Sequence, residues 1–96
     1  MDRNTALQTL RQYQQEFGSR YGILSLGLFG STARDEATDG SDVDVVVSLR
    51  EPNLFTLSRI RLELEEQLHR PVDIVSYRDR MNPFLKERIQ KEACYV

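Results

Sequence analysis

One cysteine, Cys94, stands in the 96-residue chain. No internal disulfide can form, and a reducing compartment, the cytoplasm, is the expectation. No apolar run approaches the roughly 18–20 residues of a membrane-spanning helix. The N-terminal Met1-Asp2-Arg3-Asn4 has none of the apolar h-region of a signal peptide, so no membrane partner is expected. Basic charge is also scarce. Thirteen Lys and Arg against 15 Asp and Glu leave a net charge of −2, whereas surfaces that grip a polynucleotide by its phosphates are strongly basic. Nucleic acid is therefore disfavoured as a direct substrate. The shortage is sharpest between residues 34 and 44, where Asp35, Glu36, Asp39, Asp42 and Asp44 face Arg34 alone. A nucleic-acid strand would meet a negative rim there; a single nucleotide carrying its own magnesium would not.

With 40% hydrophobic and 29% charged residues, the chain is globular rather than disordered. Its length suits one domain, residues 1–96, around a single core. Leu7, Leu10, Tyr13 or Gln14, Phe17 and Tyr21 recur at spacings of three and four and predict an amphipathic helix over 4–21, ended by Gly22. Ile23 to Phe29 is short enough for a strand. Gly30-Ser31 then predicts a sharp turn into a short helix over 33–37, with Ser31 near its N-cap, closed by Thr38-Asp39-Gly40-Ser41. A second strand runs from Asp42 to Leu49, with Val43, Val45 and Val47 on one face and Asp42, Asp44 and Val46 on the other. Asn53 caps a helix whose stripe is Leu54, Leu57, Ile60, Leu64 and Leu68. His69 and Arg70 suit its C-terminus, and Pro71 stops it. Val72 to Val75 is a third strand, and Asn82-Pro83 opens a last helix. Residues 93–96 are either a short edge strand or a tail. The order is αβαβαβα, with or without a final β. Helices on one sheet face would leave the carboxylate face open to a partner or to self-association.

The chemistry gathers between Gly30 and Asp44. Asp42 and Asp44 point the same way along a strand, with Cα atoms roughly 7 Å apart, and Asp73 joins them if the third strand lies beside the second. Such carboxylates raise one another's pKa when unpaired, and the only lysines, Lys86 and Lys91, are in the last helix. A hard divalent cation resolves the conflict. Magnesium takes one or two carboxylates plus substrate phosphates, and two ions about 3.5–4 Å apart suit in-line phosphoryl displacement. Gly30 and Ser31 supply backbone donors for phosphate, and Arg34 lies within reach in the first helical turn.

Gly30-Ser31, ten residues, then Asp42-Val43-Asp44, with Ala33-Arg34, Ala37 and Ser41 in place and Asp73 on a later strand, resembles the nucleotidyltransferase superfamily typified by DNA polymerase β. The resemblance is to its minimal nucleotidyltransferase (MNT) branch, short antitoxins paired with HEPN-domain toxins, and it spans nearly the whole chain. It implies an α/β (α+β) palm, a small mixed β-sheet backed by helices, using two Mg2+ ions and ATP. By that resemblance Asp42, Asp44 and Asp73 are the catalytic and metal-binding residues, and Gly30, Ser31, Arg34 and Ser41 bind the nucleotide. The implied reaction moves AMP from ATP to a tyrosine hydroxyl of a cognate HEPN toxin, within a homo- or hetero-oligomer. One position departs from the family, which commonly has Gly where this chain has Asp35. Aspartate is among the few residues that visit left-handed geometry, so the turn is expected to survive. Two other readings compete: a non-catalytic antitoxin that works by occlusion, and a small-molecule enzyme of the aminoglycoside type. The latter usually carries an extra helical domain, for which 96 residues leave no room.

Overall fold

The computed structural model describes residues 1–96. Asp2 opens the first helix, α1 (Arg3–Tyr21): its carboxylate accepts the Thr5 N–H at 2.7 Å, and Gly22 closes the helix in the left-handed conformation. Strand β1 (Ile23–Phe29), the one-turn helix α2 (Gly30–Ala33) and strand β2 (Val43–Leu49) follow. Then come α3 (Leu54–Leu68), β3 (Val72–Ser76), α4 (Pro83–Glu92) and β4 (Cys94–Tyr95). The Asn53 side chain accepts from Phe55 and Thr56, and the Asn82 side chain from Phe84 and Leu85, so both expected caps are in place. His69 ends α3 in the left-handed conformation. No helix is long and apolar enough to cross a membrane.

The sheet order is β3-β2-β1-β4. The β2–β3 pair is parallel, with α3 as its crossover, and β1 runs antiparallel to both β2 and β4. The fold is therefore the expected mixed sheet with helices, and residues 94–95 are a strand rather than a tail. Gly27 makes that last pairing possible, because a Cβ there would lie 2.8 Å from the Cys94 carbonyl oxygen.

Val43, Val45 and Val47 join Leu26 and Leu28 in packing against Leu10 and Tyr13 of α1 and Ile60, Leu64 and Leu68 of α3. The α3 stripe is shorter than its sequence period: Leu54 is 80% exposed. Across α1 and α3, Glu63 accepts both the Tyr13 hydroxyl at 2.8 Å and the Tyr21 hydroxyl at 3.0 Å. Burial and the Glu63 carboxylate push the Tyr13 phenol well above its ordinary range.

The opposite face is not left open as expected. Phe29 and Val46 are fully buried there beneath Ile89 of α4, with Val75, Tyr77 and Leu85 around them. The reason lies in β2 itself, which alternates into Val46 between Asp44 and Ser48. Apolar area on that face needs cover, and Leu85 and Ile89 provide it at helical spacing. The fourth helix thus lies beside the carboxylates.

Helix α2 starts earlier than the sequence pattern predicts. Gly30, at φ 73, bends the chain immediately after β1, so Phe29 occupies the N-cap position and makes no side-chain cap bond. Ser31 is inside the helix, not its cap. The helix closes by a Schellman motif: Glu36 N–H donates to Ser31 C=O at 2.8 Å and Asp35 N–H to Thr32 C=O at 3.1 Å. Asp35 takes the left-handed position at φ 61, where the resemblance expects glycine. Its carboxylate also accepts the Arg3 N–H at 3.0 Å, tying the start of α1 to this turn. Asp35→Gly should accordingly change stability by less than about 1 kcal/mol, since relief of backbone strain offsets the lost bond. Asp35→Val, β-branched in the same conformation, should cost about 1–3 kcal/mol. Urea unfolding of the two variants checks the pair.

Candidate active site

The register places Asp44 and Asp73 at paired Cα positions in the parallel β2–β3 ladder. They are therefore neighbours on one face, about 5 Å apart along the hydrogen-bonding direction. Asp42 lies one residue before β2, which starts at Val43 rather than at Asp42 as the pattern predicts, and is near enough to act on the Asp44 charge. Asp42 and Asp73 are exposed and Asp44 is half-buried. Burial raises the Asp44 carboxyl above its ordinary range, and Asp73 and Asp42 push it further. Arg88 and Arg34 pull it back without cancelling the rise. The ion pairs of the chain are Arg34–Glu36, Arg34–Glu92, Arg61–Glu65, Arg70–Asp39 and Lys91–Glu87. None involves Asp42, Asp44 or Asp73. Arg70, three residues before Asp73, donates to the Asp39 carbonyl at 2.7 Å.

No three acidic, His or Cys side chains stand close enough to enclose an ion by themselves. The chain's own side chains thus form no closed cage, and a magnesium ion held here would need substrate phosphates and water to complete its shell. Three all-oxygen donors, unpaired and mutually repelling, fit a hard cation.

Gly30 forms the opposing wall. Its Cα faces the Asp44 side chain so closely that a Cβ would run into the carboxylate oxygen. The turn and the central carboxylate thus meet at a point where only glycine fits both the space and the positive φ. With four residues, α2 has little macrodipole; what it offers an anion is backbone N–H groups and the Ser31 hydroxyl. Arg34 is exposed. Partial desolvation lowers its pKa, but Glu92 and Glu36 more than compensate and hold the guanidinium above its usual range. The Ser41 hydroxyl closes its own turn, 3.0 Å from the Thr38 N–H. Asp44 is brought beside Asp73 and against the Gly30 turn, and Asp42 is near enough to act on its charge, but the three do not close into one ligand cluster; Ser41 is engaged with Thr38.

Two residues of α4 join the site without having been singled out in the sequence. Arg88 lies with its guanidinium 5.8 Å from the Phe29 ring centre and acts on Asp44. Glu92 accepts the Gly30 N–H at 3.1 Å and Arg34 Nη1 at 2.7 Å. The only available signal was their i, i+4 spacing beside buried Ile89. None of the concavities of the surface is lined by Asp42, Asp44 or Asp73, which lie beside the part of the sheet that α4 covers.

The profile of a family described as "Nucleotidyltransferase domain" matches residues 10–96. A curated relative, a "putative protein adenylyltransferase" of Methanocaldococcus jannaschii, is 31% identical over 90 residues, covering 93% of this chain and 92% of its own length. Among solved structures, a "putative minimal nucleotidyltransferase" superposes with a TM-score of 0.80 at 37% identity, covering 100% of this chain and 97% of that one. A more distant fold neighbour comes from a complex of a "tri-AMPylated Shewanella oneidensis HEPN toxin" with its MNT antitoxin. It has a TM-score of 0.61 at 18% identity and covers 97% of this chain and 67% of that chain.

Proposed function

The chain belongs to the nucleotidyltransferase domain family, and on that footing we propose that it transfers AMP from ATP to a hydroxyl of a partner protein. The reading treats residues 1–96 as a single minimal domain acting in the cytoplasm. The observation that carries it is the pairing of Asp44 with Asp73 opposite Gly30, whose positive φ and closeness to the Asp44 carboxylate favour glycine. The curated relative's name assigns adenylyl transfer to protein, and the distant fold neighbour is an antitoxin bound to a HEPN toxin bearing AMP. The acceptor we propose is a tyrosine hydroxyl on such a toxin, which the modification silences.

Asp42 and Asp44 would hold a pair of magnesium ions, with Asp73 completing one site. The ions would supply Lewis-acid polarisation of the α-phosphate and charge neutralisation on the leaving group. The Gly30 turn brings its backbone close to the triphosphate, but its own N–H is taken by Glu92, so the donors at the turn are the Ser31 N–H and hydroxyl; Arg34 meets the phosphates from the end of α2, and Ser41, next to Asp42, would shape the same rim. Asp73, exposed on the edge strand β3, takes the proton of the acceptor hydroxyl as its oxygen bonds to the α-phosphorus. The bond from that phosphorus to the bridging oxygen breaks, and pyrophosphate leaves.

Incubation of the chain with Mg2+, ATP labelled at the α-phosphate and the product of the neighbouring reading frame tests this. That product is expected to be a small helical protein with an Arg-x4-His motif. The expected result is label on a partner tyrosine, lost on chelation of magnesium. Neutralisation of the partner without label, surviving Asp42→Asn with Asp44→Asn, would establish occlusion instead.

A further inference from the structure

Glu92 is the last residue of α4, and its backbone is fixed from both sides. Ile89, 1% exposed, anchors the helix three residues earlier, and Cys94 pairs with Leu28 of β1 two residues later. From that platform one carboxylate reaches two groups of the α2 turn. Oε2 accepts the Gly30 N–H at 3.1 Å, and Oε1 accepts Arg34 Nη1 at 2.7 Å. The first bond fixes the entry of the turn and the second its exit. Gly30 is thereby held between Glu92 on its N–H side and Asp44 against its Cα. Only Nη1 of the Arg34 fork is engaged by Glu92; Nε lies 3.5 Å from the exposed Glu36 carboxylate, and Nη2 is in neither contact. Arg34 is oriented, with donors to spare.

We propose that Glu92 is a positioning residue for the nucleotide: it presets the Gly30 turn and aims Arg34 at the phosphates, without touching them. The inference rests on the adenylyltransferase reading. A long exposed arginine pays rotamer entropy each time it meets a ligand, and a charge-assisted bond to a carboxylate with 21% side-chain exposure removes part of that cost beforehand. The opposite role is also open to a carboxylate, since an acid on these donors can mimic phosphate and compete with it. Two things favour positioning: the free side of the guanidinium, and the rigid mounting of Glu92 between Ile89 and β4.

The experiment is ATP binding with Mg2+ by titration calorimetry on the wild type, Glu92→Ala, Glu92→Gln, Arg34→Ala and the double variant, with the Gly30 amide followed by 15N NMR. Glu92→Ala should weaken ATP binding about tenfold, the scale of one charge-assisted bond. Glu92→Gln, which keeps an acceptor oxygen, should restore part of it. Adding Glu92→Ala to Arg34→Ala should cost little more than Arg34→Ala alone. In the free protein the Gly30 amide resonance should shift and exchange faster in Glu92→Ala. Tighter ATP binding in Glu92→Ala would overturn the proposal in favour of competition. Unchanged binding with a lowered Tm would overturn it in favour of a purely structural bond. If the wild type binds no ATP, it is the adenylyltransferase reading that fails, and the Gly30 amide still decides whether Glu92 fixes the turn.

Discussion

Asparagine at position 44 is expected to do two opposite things: cut AMP transfer by roughly three orders of magnitude and make the fold more stable. The first effect follows from removing a metal-holding charge, a contribution of several kcal/mol to the transition state at about 1.4 kcal/mol per factor of ten. The second follows from the surroundings of Asp44. Burial, then Asp73 and Asp42, raise its folded-state pKa above the unfolded value, so between the two values the folded chain binds more protons. Stability contributed by the protonated form is complete below the unfolded pKa, near 3.9, and is lost as pH rises through the folded value. At neutral pH the ionised carboxylate is a standing penalty. Asp44→Asn removes it, so the variant should be the more stable protein at neutral pH, by a margin that solvent screening of a half-exposed group keeps modest. Thermal unfolding of both proteins should show a gap in Tm at pH 7 that closes as pH falls below about 4. Magnesium should raise the Tm of the wild type more than that of the variant. A wild type more stable than Asp44→Asn at pH 7 would contradict the electrostatic account.

Gly30→Ala should be the most damaging change of a single methyl group. Alanine at φ 73 incurs a left-handed penalty of about 1–2 kcal/mol, and its Cβ has no room beside the Asp44 carboxylate. Overpacking adds about 1–3 kcal/mol. The total, roughly 2–5 kcal/mol, would lower the Tm of a chain this size by about 10 °C or more. Because the displaced group is Asp44 itself, transfer should fall further than stability. The diagnostic comparison is Gly30→Ala with Asp44→Ala. If the clash is the cause, shortening residue 44 restores stability to Gly30→Ala, though not activity. Failure of that rescue would leave the backbone angle as the whole effect.

Much of this arrangement is legible in the sequence because local chemistry decides it. Asn53 and Asn82-Pro83 announce helix starts, and the alternation of Val43, Val45 and Val47 fixes which face of β2 is buried. A helix between two apolar runs makes β2 and β3 parallel neighbours, which brings Asp73 beside Asp44. The left-handed turn at Asp35 also follows from residue type, since aspartate accepts that angle where most residues do not. What escapes a sequence reading is non-local. The Gly30–Glu92 bond joins residues 62 apart, and nothing in either neighbourhood announces it. The position of α4 depends on Val46 and Phe29 needing cover on the carboxylate face, a demand visible only once the strands are aligned. Ser31 looked like a cap because serine often is one. The left-handed Gly30 starts the helix one step sooner and leaves the serine inside it.

The measurement that bears most directly on the site is calorimetric titration of ATP into the chain, with and without Mg2+, for the wild type and for Asp42→Asn with Asp44→Asn. A metal-and-phosphate face predicts that the wild type binds ATP only when magnesium is present, and that the double variant, still folded, binds it at least tenfold more weakly. Equal ATP affinity in both proteins, or affinity indifferent to magnesium, would show that these carboxylates are not where the nucleotide and its metal are held.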